Sequence, residues 1–298
     1  MAPLCRAFDV SKQAYYKHDE TRDLQRAALE SFAIEFILKA RLADPGIGGR
    51  KLWHMYRLEF PDDVRLGRDR FEALIALNGL KLRRKQRRVR TTDSRHGYPL
   101  YPNLVRELIP IGINELWVSD ITYIPLWTGD ERRNFCYLSL IMDAYSREII
   151  GWAVGLTLDA AYPKMALEMA LKRLDGMPPQ NLIHHSDRGV QYACKSYTGI
   201  LNANHISISM TENGDPKENA QAERINSTIK NELLKGVRFH SLAQVREALR
   251  AAVDFYNNRR PHMSIDMMTP SQAAKCHGKI GKRWHSHRDA AIKKNGRA

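Results

Sequence analysis

The chain has 298 residues, 43% of them hydrophobic and 27% charged, with a formal net charge of +14. At roughly 100–200 residues per domain this suits two packed domains and excludes a disordered chain. The absence of an apolar run of about 18 residues excludes a transmembrane helix, and so large a positive charge calls for a polyanionic partner, nucleic acid first. The N-terminal MAPLCRAFDVSKQ lacks the apolar stretch of a secretory signal, so a cytoplasmic protein is expected. Cys5, Cys136, Cys194 and Cys276 are too scattered for a zinc knuckle or a CxxC redox pair.

In chain order, residues 4–18 read as a short helix, a break at Phe8–Asp9–Val10 and a second helix capped by Ser11. That is a helix-turn-helix pattern, with Lys12, Gln13, Tyr15 and Tyr16 on its second helix. Thr21–Ala43 continues as an amphipathic helix with Leu24, Ala28, Phe32, Phe36 and Leu38 as its apolar residues. Pro45-Gly46 breaks it, and Lys51–Leu58 and Gly67–Asn78 read as two shorter helices. Residues 1–80 are therefore expected to form an all-helical DNA-binding region. Lys81, Arg83, Arg84, Lys85, Arg87, Arg88, Arg90 and Arg95 then crowd one segment that is opposed only by Asp93. Such a block repels itself until phosphates meet it, which predicts a basic linker over 81–110 lying along DNA with strong salt dependence.

From residue 111 the pattern changes. Leu116–Leu126, Phe135–Asp143 and Arg147–Gly155 are three successive runs rich in Ile, Val, Trp and Tyr, the signature of strands. A helix over Ala160–Leu174, a strand over Asn181–His185, a helix over Lys195–Ala203 and a strand over Ile206–Met210 follow. Asp215, Pro216 and Glu218 then suit N-cap, N1 and N3 of a long helix reaching Leu234. Gln244–Asn257 is a further helix, and residues 276–298 form a basic tail expected to be flexible. The order of strands and helices predicts a mixed α/β domain over 111–275.

Three acids in this domain can carry chemistry. Asp120 sits mid-strand in WVSDITYI, where a carboxylate is costly to bury without a cation. Asp187 follows a strand end in HHSDRG, and Glu223 lies on the long helix. Sixty-six residues separate the first two and 35 the second pair. A cluster of carboxylates repels itself when empty and suits hard cations such as Mg²⁺. Two such ions can clamp the attacking and leaving oxygens of an in-line phosphoryl displacement. On the helix, Asn219, Glu223, Ser227 and Lys230 share a polar face, and Ala222, Ile225, Ile229 and Leu233 an apolar one. His184 and His185 are read as structural rather than as metal ligands.

Several segments together resemble the OrfB transposases of the insertion-sequence-three (IS-three) family, whose core is similar to that of retroviral integrase. They are WVSDITYI, DAYSREIIGW from Asp143, HHSDRGVQY from His184, NGDPKENAQAERINSTIKNELL from Asn213 and YNNRRPHMSIDMMTPSQA from Tyr256. The resemblance implies a ribonuclease H-like core with a five-stranded mixed sheet. It maps the family's DDE triad onto Asp120, Asp187 and Glu223 as catalytic and metal-binding residues, and a basic residue seven positions after the Glu onto Lys230. It implies two Mg²⁺ ions, replaceable by Mn²⁺, cleavage at the terminal inverted repeats of an element, and transfer of a 3′-hydroxyl into target DNA. It further implies a homo-oligomer on double-stranded DNA, partnership with or fusion to an upstream-frame OrfA product, and a bacterial, nucleoid-associated location. Where many relatives carry Ser-Phe after the Glu, this chain has Arg224-Ile225, and Arg224 is expected to add a phosphate contact. The Tyr256–His262 motif is expected to support the fold, with a DNA contact open at Arg260. Two other readings, a DNA-binding protein without the reaction and a nuclease without strand transfer, are disfavoured by the intact carboxylates and by the basic N-terminal region.

Overall fold

The structure is a computed structural model. It describes residues 2–7, 11, 20–82, 97–127, 133–174, 176, 181–212, 218–286, 290 and 292. The chain divides into two compact units, Met1–Leu42 with Gly48–Leu82 and Ala43–Ile47 with Arg83–Ala298. Among the described residues no helix is long and apolar enough to cross a membrane.

The smaller unit is helical. Helix α1 spans Ala2–Ala7, α2 Glu20–Ala43, α3 Gly49–Glu59 and α4 Arg68–Leu77. Phe36, Tyr56, Phe60 and Phe71 form an aromatic cluster with ring centroids 4.9–5.9 Å apart. The Leu66 amide donates to the Tyr56 hydroxyl, so even the polar end of that ring is satisfied. The buried stripe of α2 is Ala33, Phe36 and Ile37, whereas Leu24, Phe32 and Leu38 are exposed and Ala28 lies on the open side. The expected apolar face of that helix is corrected accordingly. Positions 33, 36 and 37 share one face at helical spacing, 24, 28 and 38 point away from it, and Phe32, four before Phe36, flanks it uncovered. The break at 8–10, the recognition-helix residues Lys12, Gln13, Tyr15 and Tyr16, and the basic residues Arg83, Arg84, Lys85, Arg87 and Arg88 lie outside the described residues; Lys81 is exposed.

The larger unit holds a five-stranded sheet, β1 Leu116–Trp127, β2 Arg133–Asp143, β3 Ile149–Gly155, β4 Ile183–Ser186 and β5 Ser207–Met210, in the order β3-β2-β1-β4-β5. The first three strands form an antiparallel meander, while β4 and β5 run parallel to β1. This is the mixed sheet expected of a ribonuclease H-like core. Helix α5 (Ala161–Leu171) lies on β2 and β3, and the short α6 (Val190–Ala193) and α7 (Lys195–Ala203) follow β4. Trp117, Ile141, Ala153, Ala166, Leu167, Ala170, Tyr192, Tyr197, Leu201 and Met210 form the core on that face. On the opposite face α8 (Ala220–Thr228), continued by a π-helical turn over Ile229–Leu233, packs on β1 and β2. Helix α9 (Leu242–Asn258) packs on β3, and α10 (Pro270–Ala273) packs on α9.

Several expected boundaries move. Helix α8 starts at Ala220 with Asn219 as its N-cap residue, so Glu218 precedes the helix instead of occupying N3. Its carboxylate accepts the Glu212 amide at 2.7 Å; Asp215 and Pro216, the other residues of the expected cap, lie outside the described residues. Within the expected linker, Pro102 O accepts the Met210 amide and the Leu104 amide donates to Ser209 Oγ at 2.9 Å. That stretch thus covers the outer edge of β5, satisfying backbone groups that an edge strand would leave open. The expected flexible tail is tied down in its first part. The Gly278 amide donates to Ile111 O, Tyr145 donates to Gly278 O, and the Arg283 amide donates to Met263 O.

Helix α5 meets β3 at unusually short range because position 151 carries no side chain. A Cβ on Gly151 would lie 2.0 Å from Ala166 O. Gly151→Ala is expected to destabilise the folded protein by about 3 kcal/mol, the upper range for overpacking. A urea titration reads this as a lower midpoint with unchanged slope, and an unchanged midpoint would show that α5 shifts freely.

Candidate active site

The site forms where two parallel strands part. Strand β4 pairs with β1 only through Leu116, Trp117 and Val118, and β4 then opens into the loop that carries Asp187. Carrying the Val118–His185 register two residues further sets Asp120 level with Asp187. Paired strands lie about 5 Å apart. Side chains alternate along β1, so Trp117 and Ser119 face α5 and α7, while Asp120 and Thr122 face α8. Asp120 is 6% exposed. Asp187 is half-buried, and its Oδ1 accepts the Gly189 amide at 3.0 Å. Behind both lies Tyr192, whose hydroxyl is 2.9 Å from Ser119 Oγ. Burial raises the Tyr192 hydroxyl well above its usual range, and the charges of Tyr197, Asp120 and Asp187 raise it further, so both carboxylates bear on one buried phenol.

Helix α8 is fastened over this gap by polar contacts. Asn219 Nδ2 donates to Ser119 O at 3.0 Å, Asn226 Nδ2 donates to Asp120 Oδ2 at 2.8 Å, and Lys230 Nζ donates to Thr122 Oγ1 at 3.1 Å. Glu223 lies four residues after the first anchor and three before the second, so the helical repeat puts it on the side that faces β1. Its side chain is exposed, at the rim of the gap. Among the described residues no three His, Cys, Asp or Glu side chains are placed to hold one metal ion together. The structure therefore puts Asp120 on β1, Asp187 on the loop that leaves the adjoining β4, and Glu223 on the helix that packs on β1. Ala222, Ile225, Ile229 and Leu233 are buried on the apolar side of the same helix, as expected.

Integrase core domain models match residues 112–216 and 204–270 of the chain. The chain is 31% identical over 273 residues to the insertion element IS600 uncharacterized 31 kDa protein of Shigella sonnei, covering 90% of this chain and 96% of that one. It is 32% identical to the putative transposase for insertion sequence element IS986/IS6110 of Mycobacterium tuberculosis (strain ATCC 25177 / H37Ra), covering 84% and 90%. It is 28% identical to transposase InsF for insertion sequence IS3A of Escherichia coli (strain K12), covering 90% and 92%. The chain belongs to the IS-three family of insertion-sequence transposases.

In this transposase the two histidines before Asp187 are structural. His184 Nε2 is 2.9 Å from the Tyr197 hydroxyl, and His185 is held between Ser209 Oγ at 2.9 Å and Glu218 O at 3.1 Å. Lys230 is half-buried, with its ammonium 3.9 Å from the centroid of the Tyr123 ring. Arg224 is exposed, whereas Ile225 is buried; the departure from Ser-Phe therefore keeps an apolar residue where the helix meets the sheet.

The Tyr256–His262 motif supports the fold. Asn257 exchanges two hydrogen bonds with the backbone of Ile149, at 2.9 and 3.0 Å, and so acts as one more rung on the β3 edge. Arg260 is 4% exposed, forms an ion pair with Glu232, and has its Nε 3.4 Å from Asp44 Oδ2. A DNA contact at Arg260 is therefore excluded, because its guanidinium is enclosed and committed to two carboxylates. Gly46 makes this possible: a Cβ there would lie 2.4 Å from Glu232 Cα. Asn219 and Asn226 were the residues that sequence reasoning did not single out as anchors. Their spacing of four and three from Glu223 on one helix was the available signal.

Burial, reinforced by the charge of His185, lowers the His184 pKa to about 3, against about 6.5 in an unfolded chain. The unfolded chain takes up a proton that the folded protein refuses, so stability is full above pH 6.5 and falls as pH drops from there toward 3. The slope approaches about 1.4 kcal/mol per pH unit from this group. His184→Gln is expected to lower stability at pH 7 and to flatten the decline between pH 6 and 4 by one proton's worth. Denaturation midpoints measured across that range check this, and an unaltered slope would contradict it.

Proposed function

We propose that this transposase cuts DNA at the ends of its element and transfers the freed 3′-hydroxyl into target DNA, using Asp120, Asp187 and Glu223 to hold two Mg²⁺ ions, with Mn²⁺ able to substitute. The observation that supports the reading is the parallel β1–β4 register, whose continuation by two residues past Val118–His185 would level Asp120 with Asp187, beneath a helix fastened on both sides of Glu223. An all-carboxylate donor set fits hard cations that keep part of their water shell. Asp120 supplies a buried oxygen donor on a rigid strand, and Asp187 supplies one from a loop braced by Gly189. Glu223 is exposed and long enough to close over the gap as DNA enters. Bound there, the ions supply the electrostatic clamp on the attacking and leaving oxygens of an in-line displacement.

The remaining residues bind and orient. Tyr192 and Ser119 wall the gap from behind and keep bulk water from the protected side of the carboxylates. Lys230, held between Thr122 and Tyr123 at the rim, sets a positive charge beside the path of the backbone. Arg224 and the basic segment Lys81, Arg83, Arg84, Lys85, Arg87 and Arg88 are assigned to phosphates, in line with the net charge of +14. The proposal extends to double-stranded DNA bearing terminal inverted repeats, a homo-oligomer assembled on it, and an OrfA partner from the upstream frame.

The test is nicking of a duplex carrying the element's own ends, with Mg²⁺ or Mn²⁺ present. Asp120→Asn is expected to reduce cleavage by about a thousand-fold or more, while DNA binding in EDTA persists. Equal cleavage by the variant would remove Asp120 from the reaction.

A further inference from the structure

Asn226 is 4% exposed, and its amide nitrogen donates to Asp120 Oδ2 at 2.8 Å. An amide buried this deeply on the strand-facing side of a helix is costly unless its groups are used. Only its nitrogen is used: Oδ1 is buried and meets no hydrogen-bond partner among the described residues. The orientation is dictated by chemistry. Turning the amide over would set Oδ1 against Asp120 Oδ2, acceptor to acceptor, beside a carboxylate that is itself 6% exposed. Hydrophobic packing alone would be served better by leucine, which has the same shape and no polar atoms.

The neighbouring anchor does a different job. Asn219 is also buried, but it donates to the Ser119 backbone carbonyl and so seats the helix without touching a carboxylate. Asn226 instead joins α8 to a side chain of the proposed site. A donor fixed on one oxygen of a carboxylate limits its rotation and strengthens its charged form, which are the properties a metal ligand needs.

We propose that Asn226 is a positioning residue for Asp120, fixing its carboxylate in the rotamer that receives a divalent cation while its own Oδ1 accepts from the water shell of that ion. The inference rests on the three-acid reading above. It makes the Asn226 amide a determinant of metal affinity, separable from DNA binding.

The experiment uses the full chain without DNA, titrated with Mn²⁺ and followed by calorimetry. Asn226→Leu keeps the side-chain shape and removes both polar atoms, and Asn226→Ala is the second variant should the first pack poorly. Melting in EDTA reports folding, and DNA affinity in EDTA reports the rest of the surface. The expected result is a Mn²⁺ dissociation constant raised about 10- to 100-fold, with DNA affinity within two-fold of the unaltered chain and a cooperative melt in EDTA at a lowered temperature, since a buried carboxylate loses its donor. The Mg²⁺ concentration for half-maximal nicking should rise by the same factor. Asp120→Asn run alongside separates the two readings. If it loses Mn²⁺ binding while both Asn226 variants bind as tightly as the unaltered chain, Asn226 has no positioning role and the three-acid site stands. If Asp120→Asn also binds Mn²⁺ normally, both readings are overturned. Loss of DNA affinity in EDTA parallel to the loss of Mn²⁺ affinity would mark Asn226 as a helix anchor only and overturn the inference.

Discussion

A carboxylate buried in the middle of a central strand is the constraint around which the larger unit is organised. Asp120 cannot be moved to the surface without breaking the β1 register with β2, which runs unbroken from Trp117–Asp143 to Trp127–Arg133. It is tolerated because the opposite strand β4 stops early, leaving a gap, and because α8 brings an amide down onto it. The helix that does this is polar where it faces the strand and apolar beside that, so it is held both by burial of Ala222, Ile225, Ile229 and Leu233 and by directed hydrogen bonds. Burial alone would let a helix slide, whereas three directed bonds to Ser119, Asp120 and Thr122 fix its register.

The far end of α8 is fixed by a second buried polar device. The helix runs into a π-helical turn, where Glu232 pairs with Arg260 from the segment after α9. Asp44 Oδ2 lies 3.4 Å from Nε of the same guanidinium, and Tyr256 and His262 pack against each other beside it. Removing one partner from such a cluster strands a charge in a medium that cannot solvate it, so the whole cluster must be kept together. A motif in the C-terminal third thus serves the site indirectly, by bracing the helix that carries Glu223. Asn257, one residue after Tyr256, adds a clasp on the edge of β3, which ties the outer strand of the meander to α9.

Much of this was legible in the amino-acid order. The strands β1 to β3 follow from runs rich in Ile, Val, Trp and Tyr between turns, β4, β5, α5, α7 and α9 were also placed in chain order, and α7 begins and ends at the expected residues. The apolar stripe of α8 was readable from its helical spacing. The misread parts depended on partners distant in sequence. Glu218 looks like a capping residue by its spacing, yet its carboxylate is taken by the Glu212 amide across the preceding loop. Leu24, Phe32 and Leu38 satisfy a helical period in isolation, but the neighbours of α2 select the face of Ala33, Phe36 and Ile37. Arg260 resembles a DNA contact until Asp44 and Glu232 are seen to enclose it.

The sequence by itself determined which residue types recur at which spacing, and therefore the strand order along the chain, the basic character and the three candidate acids. Local periodicity and charge are properties of neighbouring residues, so they can be read without a fold. Only the tertiary structure decided that β4 lies parallel to β1 and ends early, that Asn226 meets Asp120 and that Arg260 is enclosed. Those outcomes join positions separated by 28 to 216 residues. Such contacts are selected by the packing of whole elements, which no short window of sequence encodes.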